Sequence, residues 1–413
     1  MRFRFTRQGN RPASPSREAP APAEALSAGM PETVEAPLSD YEAELIRSSL
    51  TVVEPLAGEI TVYFYAILFA RYPDVRSMFP EGMDPQRDRL LGALLRIVDL
   101  VDDPESLVRF CAHLGRDHRK FGTRPAHFPA VGECLLDALA RYAGSAWTPD
   151  VAAAWAKAYG AVAQMMIDAA EQDEAVRPAV WHATIVHRVS RGRGIAEITV
   201  RPHSPYAYAA GQYVSIETPW WPRSWRHYSV ANAPREDGTL TFHVRAVDGG
   251  SVSGALVHRA SVGDVIRLGP PTGDMVLDAA GHRKLLFVAG GTGLAPIRAL
   301  VEEVDRRGGR HQVELFLGAR TVAELYGFDE MLRLAQRHHW LTVKGAVSHE
   351  QIPGIRGLLP DVLAEYGPWY EHDVFLSGPA QMVASAKAKL ILNGTAPHRI
   401  HHDPFETPGL SAS

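Results

Sequence analysis

The periodicity of apolar residues changes twice along this chain of 413 residues, and that change constrains the fold more than any other feature. From residue 37 to about 176, apolar side chains recur every three or four residues, as in Leu90, Leu94, Ile97, Val98 and Val101. Prolines separate these segments, and no convincing alternating strand pattern occurs among them. The first part of the chain is therefore predicted to be all-α.

Two β-containing patterns follow. Six short runs punctuated by Gly and Pro predict strands of a small antiparallel barrel, at residues 183–189, 195–201, 212–217, 228–231, 239–246 and 264–268. From residue 284 onward strands and helices alternate, which predicts βαβ units and a doubly wound parallel sheet. Strands are predicted at residues 284–289, 313–317, 341–347 and 374–376. One helix is predicted to begin near residue 296, and a second, after the strand at 313–317, to end at residue 337. Two more helices are predicted near residues 358–366 and 380–392.

These patterns predict a multidomain α and α/β protein. Residues 1–37, rich in Pro, Ala, Arg and Glu, are predicted to form a disordered tail. The predicted domains are an all-α domain over residues 38–176, an antiparallel β-barrel over residues 181–280 and an α/β domain over residues 281–413.

The composition is that of a folded, soluble protein, with 46% hydrophobic residues and a net charge of −4. This charge gives no indication of a nucleic-acid or anionic-membrane partner. No uninterrupted apolar run approaches the roughly 20 residues of a membrane span, and the basic N-terminus lacks the apolar segment of a secretory signal. The two cysteines, Cys111 and Cys134, cannot ligate an iron–sulfur cluster, and a cytoplasmic location is expected. The oligomeric state is left open.

Two segments of the barrel region have the residue types that a flavin requires. Arg226, Tyr228 and Ser229 offer a cation for a pyrophosphate, an aromatic ring for the isoalloxazine and a hydroxyl for its polar edge. An ordinary strand with a surface arginine is the alternative. Gly249, Gly250, Val252 and Ser253 precede an apolar helix, whose free N–H groups can hold a phosphate, although a simple turn has the same pattern.

Two later segments indicate a nicotinamide dinucleotide site. One follows an apolar strand and opens a helix, and the other follows a later strand at the same edge of the predicted sheet, where such folds bind ligands. They comprise Gly290, Gly291, Thr292, Gly293 and Pro296, and Ser377, Gly378 and Pro379. Arg320 follows a third strand; it can pair with a 2′-phosphate, which favours NADPH, or lie in solvent. Between NADH and NADPH, we favour NADH.

In this order the segments resemble the ferredoxin–NADP reductase-like superfamily, over residues 181 to 405. The resemblance implies that Arg226, Tyr228, Ser229 and the Gly249–Ser253 segment hold FAD, with Tyr213 of a Gly-Gln-Tyr segment nearby. It also implies that Phe405 covers the second flavin face. Two positions depart from the family pattern: Ser377 replaces a cysteine, and Asp403 provides the acidic group near the C-terminal aromatic.

The helical block contains three histidines that are candidates for an axial haem ligand, His113, His118 and His127. His113 and His118 lie about 140° apart on a helix, so they cannot both face one iron. The block resembles the globin domain of flavohaemoglobins, with matching residues at Tyr63–Phe69, Phe79, Pro80, Gln86, Arg87, Leu90, His118, Phe121, Pro125, Val131–Glu133, Trp155 and Ala158–Gly160.

The resemblance implies particular roles in the haem site. His118 would be the proximal iron ligand and Tyr65 the distal hydroxyl, while Gln86 and Leu90 line the distal side and Phe79 packs on the haem. Without this context, Tyr65 is read as a core tyrosine. The proximal surroundings depart from the family, because Phe128 replaces a tyrosine and Ala170 a glutamate. Glu171 is one residue, about 100°, away on a helix, and Asp117 is poorly placed, so we expect a less basic imidazole.

The resemblance implies cofactors and a reaction. Haem b, FAD and NADH or NADPH are the expected cofactors, and the expected activity is nitric oxide dioxygenation, with O₂, NO and NAD(P)H as substrates. Electrons would pass from the nicotinamide through FAD to the haem. Two alternatives remain: a globin-coupled reductase acting on peroxide, a quinone or an electron carrier, and a haem-based gas sensor.

Overall fold

A computed structural model describes residues 38–403, except for the side chain of Pro85. The predicted disordered tail (residues 1–37) and the predicted flavin-covering Phe405 lie outside the described residues. The described chain folds into a helical part, a sheet of antiparallel strands and a sheet of parallel strands, in the predicted order. The predicted fold class is thereby confirmed.

Seven α-helices make up the first part: α1 (Asp40–Val53), α2 (Ala57–Arg71), α3 (Pro73–Arg76), α4 (Asp84–Asp99), α5 (Pro104–His118), α6 (Phe128–Ala143) and α7 (Pro149–Glu174). Local sequence sets several of their ends. Ser39 and Glu42 form a capping box at α1, and the side chains of Asp103 and Thr148 cap α5 and α7, each directly followed by proline. The core lies between α1, α2, α6 and α7, around Phe64 and Leu68.

The stretch Asp40–Arg71 is long and apolar enough to cross a membrane by length and hydropathy. It comprises α1, a short 3₁₀ helix and α2. Ile46, Phe64 and Leu68 from this stretch are buried in the helical core, as the core helices of a soluble protein would be. Within the described residues, 39% of the most apolar 18-residue window of this stretch is buried inside the protein.

Six antiparallel strands follow: β1 (Trp181–Gly192), β2 (Ile195–Pro202), β3 (Tyr213–Thr218), β4 (Trp221–Ser229), β5 (Leu240–Arg245) and β6 (Val265–Leu268). Their order in the sheet is β4-β3-β6-β1-β2-β5, and a bridge between Val230 and Phe242 brings the two outer strands together into a partial barrel. The inner face packs around Phe242, Ile198 and Ile216. Helix α8 (Ser251–His258) follows β5 and packs against this core.

The last part is a parallel sheet of β7 (Lys284–Gly290), β8 (Val313–Ala319), β9 (Leu341–Val347), β10 (Ile355–Arg356), β11 (His372–Ser377) and β12 (Ile400–His401). Its helices are α9 (Leu294–Arg306), α10 (Phe328–Ala335), α11 (Leu359–Tyr366) and α12 (Ala380–Leu392). The strand order β10-β9-β8-β7-β11-β12 reverses direction between β7 and β11. This reversal creates the crevice at the carboxyl ends of strands where doubly wound folds bind ligands.

The observed strands differ from the predicted ones in where one strand begins and in the presence of two additional short strands. Strand β4 begins at Trp221 rather than residue 228, in a segment where Pro222 and the positive φ of Arg223 interrupt any alternating pattern. Strands β10 and β12 were not predicted, because two residues are too few to show a period.

Candidate functional site

The imidazole of His118 lies at the carboxyl end of α5. Its Nδ1 atom is 2.7 Å from the carbonyl oxygen of Leu114, one turn earlier. A carbonyl only accepts hydrogen bonds, so Nδ1 carries the proton and Nε2 keeps its lone pair. Burial lowers the pKa of His118, which keeps the ring neutral. A neutral imidazole with an available Nε2 is what axial ligation of haem iron requires, so the residue fits that role.

The other candidate histidines of this block have different surroundings. His113 is exposed on another face of α5. His127 is engaged locally, because its Nδ1 accepts a 3.2 Å hydrogen bond from the Arg124 backbone N–H. His118 therefore remains the candidate ligand on both chemistry and position.

No carboxylate hydrogen-bonds to His118 among residues 38–403. Glu171 is exposed, Ala170 has no polar group, and Asp117 forms an ion pair with Lys120 at 2.5 Å. Phe128, at the position where the family has tyrosine, packs against the cluster that contains Cys111. The carbonyl of Leu114 is thus the acceptor of the imidazole proton, and it is a weaker acceptor than a carboxylate.

Tyr65 lies in an aromatic cluster on the distal side of the helical part. Its ring contacts Phe64 at 4.8 Å, Phe79 at 5.5 Å and Phe69 at 5.7 Å between centroids. Its hydroxyl donates a long hydrogen bond of 3.4 Å to the backbone carbonyl of Gln86, at the start of α4. Burial raises the pKa of Tyr65, so the hydroxyl stays protonated and able to donate. The structure thereby brings Tyr65, Gln86 and Phe79 together.

Helix α4 presents an apolar face that the protein covers only in part. Leu90, Leu94, Ile97 and Val98 are half-buried, and none of the described side chains of this helix is fully buried. The face continues toward Leu114 of α5, which is also half-buried. A flat apolar group next to α4 would cover this surface, and a porphyrin fits that description.

The predicted flavin residues lie on β3 and β4, which pair in register. Tyr213 is opposite Ser229, and Val214 is opposite Tyr228. Burial raises the pKa of both Tyr213 and Tyr228, so each phenol is neutral and can stack or donate. Arg226 donates to the Trp225 carbonyl at 2.9 Å and lies on the same side of β4 as Tyr228.

The segment between β5 and α8 has the close backbone packing expected of a phosphate cradle. Gly249 has a φ of +71°, and a Cβ at Gly250 would come within 2.5 Å of both Ser253 Oγ and a methyl of Val247. Ser253 Oγ donates to the Gly250 carbonyl at 3.3 Å, and Val252 is buried. The first N–H groups of α8 therefore start from a fixed glycine turn, as anion binding requires.

The two predicted nicotinamide segments meet at the crevice between β7 and β11. Ala289 pairs with Ser377 at the carboxyl ends of these strands. A Cβ at Gly293 would lie 2.6 Å from the Gly378 nitrogen and the Ser377 carbonyl, and one at Gly378 would lie 3.0 Å from the Gly290 nitrogen. Gly291 and Thr292 lie in the intervening 3₁₀ turn, Pro296 is buried in the first turn of α9, and Pro379 caps α12.

Arg320 forms an ion pair on the surface of the parallel sheet. It follows β8, beside the glycine turn, and donates to the carboxylate of Glu324 at 2.9 and 3.2 Å. Arg193 lies 3.9 Å from the same carboxylate. The hydrogen bond from Arg320 lowers the pKa of Glu324, so the carboxylate is ionised at neutral pH. Glu324 therefore offsets part of the positive charge that Arg320 and Arg193 provide at this position.

Asp403 is close to the predicted flavin residues. A Cβ at Gly273 would lie 2.9 Å from both the Asp403 carboxylate and the ring of Tyr213. Burial raises the pKa of Asp403 to about 7, and its Oδ2 atom has no hydrogen-bond partner within residues 38–403. Near neutral pH this carboxyl group can hold or release a proton.

Several residues near these sites were not found by sequence reasoning. Lys120, Ser215 and Trp225 meet where the helical part contacts the antiparallel sheet. Arg245 of β5 has its guanidinium 3.3 Å from the position of a Cβ at Gly291. Ser215 and Trp225 share a strand face with Tyr213, so the alternation of side chains along β3 and β4 could have indicated both residues from the sequence.

Comparisons with known proteins agree with this arrangement. The Globin family matches residues 62–166, the oxidoreductase FAD-binding domain residues 184–277 and the oxidoreductase NAD-binding domain residues 287–388. The flavohemoprotein of Bordetella pertussis is 28% identical over 91% of this chain and 100% of its own length. The flavohemoprotein of Bacillus subtilis is 26% identical over 89% of this chain and 97% of its own.

The chain thus combines a globin domain with FAD-binding and NAD-binding oxidoreductase domains, and it is similar to a flavohemoprotein over 91% of its length. Its fold agrees, since the flavohemoglobin of Malassezia yamatoensis, solved with bound FAD and heme, superposes with a TM-score of 0.75 at 22% identity, covering 89% of this chain and 99% of that one. This protein is an oxidoreductase whose cofactors are haem, FAD and a nicotinamide dinucleotide, as predicted.

Proposed function

We propose that this protein is a flavohaemoglobin that acts as a cytoplasmic, NAD(P)H-dependent nitric oxide dioxygenase. Two NO and two O₂ would give two nitrate ions, with one NAD(P)H supplying two electrons and releasing one proton. The observation that carries the proposal is the buried Tyr65 hydroxyl beside the half-covered apolar face of α4, in a chain that includes its own reductase. We also propose residues 38–176, 181–280 and 281–413 as the domain limits.

When bound, the flavin would convert a two-electron hydride into single electrons, and the haem would supply an iron at which O₂ and NO react. The residues would divide the remaining tasks. His118 would hold the haem iron, while Leu114 would fix the tautomer of its imidazole. Tyr65 would offer a hydroxyl donor to the bound substrate, and the surrounding phenylalanines would limit access of water. Arg226, Tyr228 and Ser229 would hold the flavin, and the Gly290–Gly293 turn would admit the nicotinamide.

Nitrate formation tests the proposal. The holoprotein is reduced with NADH without oxygen, mixed with O₂, and then mixed rapidly with NO while nitrate is quantified. Stoichiometric nitrate within the mixing time is expected. Little nitrate combined with rapid reduction of an added dye or quinone would instead favour a reductase with another acceptor. The backbone acceptor on His118 is the observation that supports this second candidate, because it weakens electron donation to iron.

Tyr65→Phe should accelerate loss of bound O₂. The change removes one hydroxyl donor worth about 1–3 kcal/mol, so the dissociation rate should rise roughly five- to 150-fold. Oxygen release after mixing with carbon monoxide measures it. Tyr63→Phe is the matched control, because Tyr63 lies two residues away on α2 and packs against Tyr142 instead. Equal O₂ release in the two variants would remove Tyr65 from the distal role.

Glu324→Gln should raise use of NADPH. The substitution removes the negative charge that a 2′-phosphate would face and releases Arg320 to bind it. We expect wild type to prefer NADH and the variant to gain about tenfold in kcat/KM for NADPH, equivalent to ~1.4 kcal/mol, with NADH little changed. Dye reduction with each coenzyme measures this, and the exposed Glu365→Gln is the control. A wild-type preference for NADPH would contradict the assignment.

A further inference from the structure

The three residues that follow His118 are each anchored to a different neighbour. Arg119 forms a buried ion pair with Asp173 near the end of α7. Lys120 reaches Ser215 of β3 in the antiparallel sheet, and the Phe121 ring lies 6.5 Å from that of Trp225 on β4. The segment that carries the candidate iron ligand is thus fastened both to its own helical part and to the strands that carry the candidate flavin residues.

Lys120 makes the polar part of this connection. Its side chain is only 2% exposed, and its Nζ donates to Asp117 Oδ1 at 2.5 Å and to Ser215 Oγ at 3.2 Å. The ammonium group also lies 5.2 Å from the ring centroid of Phe121 and 5.5 Å from that of Trp225. The contacts with Ser215 and Trp225 cross from the helical part to the sheet, while those with Asp117 and Phe121 hold the lysine within its own segment.

The sheet side of the boundary is shaped to accept this side chain. A Cβ at Gly269 would collide with Ser215 Oγ and approach Lys120 Cδ at 3.6 Å, so the glycine leaves room for the contact. Trp225 also contacts a second cation, since the Arg267 guanidinium is 5.3 Å from its ring centroid. Ser215 pairs with His227, and Trp225 directly precedes Arg226, so the anchor points are neighbours of the flavin candidates.

A buried lysine is costly for folding unless its charge is used. Desolvation of an ammonium group costs several kcal/mol, which the ion pair, hydrogen bond and aromatic faces offset only in this geometry. An apolar residue of similar length would fill the same space without that cost. The charge of Lys120 therefore fixes the orientation of its side chain, which packing alone would not do.

We propose that Lys120 is a positioning residue for electron transfer between flavin and haem. By joining the His118 segment to Ser215 and Trp225, it fixes the distance between the two cofactor sites, and electron-transfer rates fall steeply with distance. In the affected step, one electron leaves the reduced flavin and one ferric iron becomes ferrous. This inference rests on the cofactors of the family and is independent of whether the product is nitrate.

The test compares Lys120→Met with Lys157→Met, a lysine that pairs with Glu42 on the surface of the helical part. Holoprotein is mixed with NADH without oxygen, and flavin and haem reduction are followed separately by absorbance. For Lys120→Met we expect unchanged flavin reduction and haem reduction slowed at least tenfold. Lys157→Met should match wild type in both phases.

Two further measurements make the result decisive. Hydrogen exchange of the full-length holoprotein should become faster in Tyr213–Thr218 and at the end of α5 in Lys120→Met, with the parallel sheet unaffected. Ser215→Ala, which keeps both charges and removes only the hydrogen-bond partner, should slow haem reduction several-fold. If Lys120→Met does not fold, the rate of haem reduction in Ser215→Ala alone tests the proposal. Wild-type haem reduction in Ser215→Ala or Lys120→Met, or an equal slowing of the flavin phase, would overturn the proposal.

Discussion

Replacing His118 with alanine should abolish the Soret band while FAD remains bound. The imidazole is the candidate axial ligand because its Nδ1 proton is committed to the Leu114 carbonyl and its Nε2 lone pair is left for iron. The predicted flavin residues lie on separate strands, so the yellow colour and NADH-dependent dye reduction should persist. Absorbance spectra of purified protein, after haem supply, measure both cofactors in one sample.

His113→Ala is the matched control for this experiment. It removes a histidine from the same helix, five residues earlier, where the side chain is exposed. We expect this variant to keep a normal haem spectrum. A Soret band that survives in His118→Ala and disappears in His113→Ala would show that the iron is held from the other face of α5. Added imidazole should restore a haem spectrum to His118→Ala, because the cavity left by the ring admits the free ligand.

The domain types were predictable from local pattern because each depends on short-range periodicity. Helices with proline and polar caps, such as α5 and α7, have their start signals within a few residues. The parallel sheet was equally predictable, because the strand Lys284–Gly290 is followed by a glycine turn and then by the helix Leu294–Arg306. The predicted helix 380–392 agrees with α12 at both ends.

The contacts between parts of the chain could not be read in this way. Lys120 and Ser215 are separated by 95 positions, and nothing in either local sequence links them. Arg320 and Glu324 are four residues apart, a spacing visible in the sequence, but the position of β8 beside the glycine turn, on which their proposed role in coenzyme choice depends, was not. Asp403 likewise acquires its raised pKa from burial, which only the folded chain provides.

Gly293→Ala should nearly abolish reduction of the flavin by NADH while haem and FAD remain bound. A methyl group at this position would lie 2.6 Å from the Gly378 nitrogen and from the Ser377 carbonyl carbon and oxygen. All three are backbone atoms at the end of β11, whose pairing with β7 from His372 to Ser377 prevents them from moving aside independently. The two segments that frame the nicotinamide crevice would therefore have to separate.

Displacement of these segments by close to 1 Å should reduce NADH-dependent flavin reduction by about 100-fold, because hydride transfer is sensitive to misplacement on that scale. Stopped-flow bleaching of the flavin with NADH measures the loss. A chemical reductant that needs no nicotinamide site should still reduce both cofactors at the normal rate. That combination would place the defect at the crevice and not in the flavin or haem sites.

Gly160→Ala is the control for the introduced methyl group. Gly160 is in the middle of α7, where a Cβ meets nothing within 4 Å, and alanine there should leave NADH reduction unchanged while stabilising the helix by up to about 1 kcal/mol. Normal NADH reduction in Gly293→Ala would contradict the assignment of the nicotinamide crevice, since a collision with fixed backbone at its centre would then have no consequence for hydride transfer.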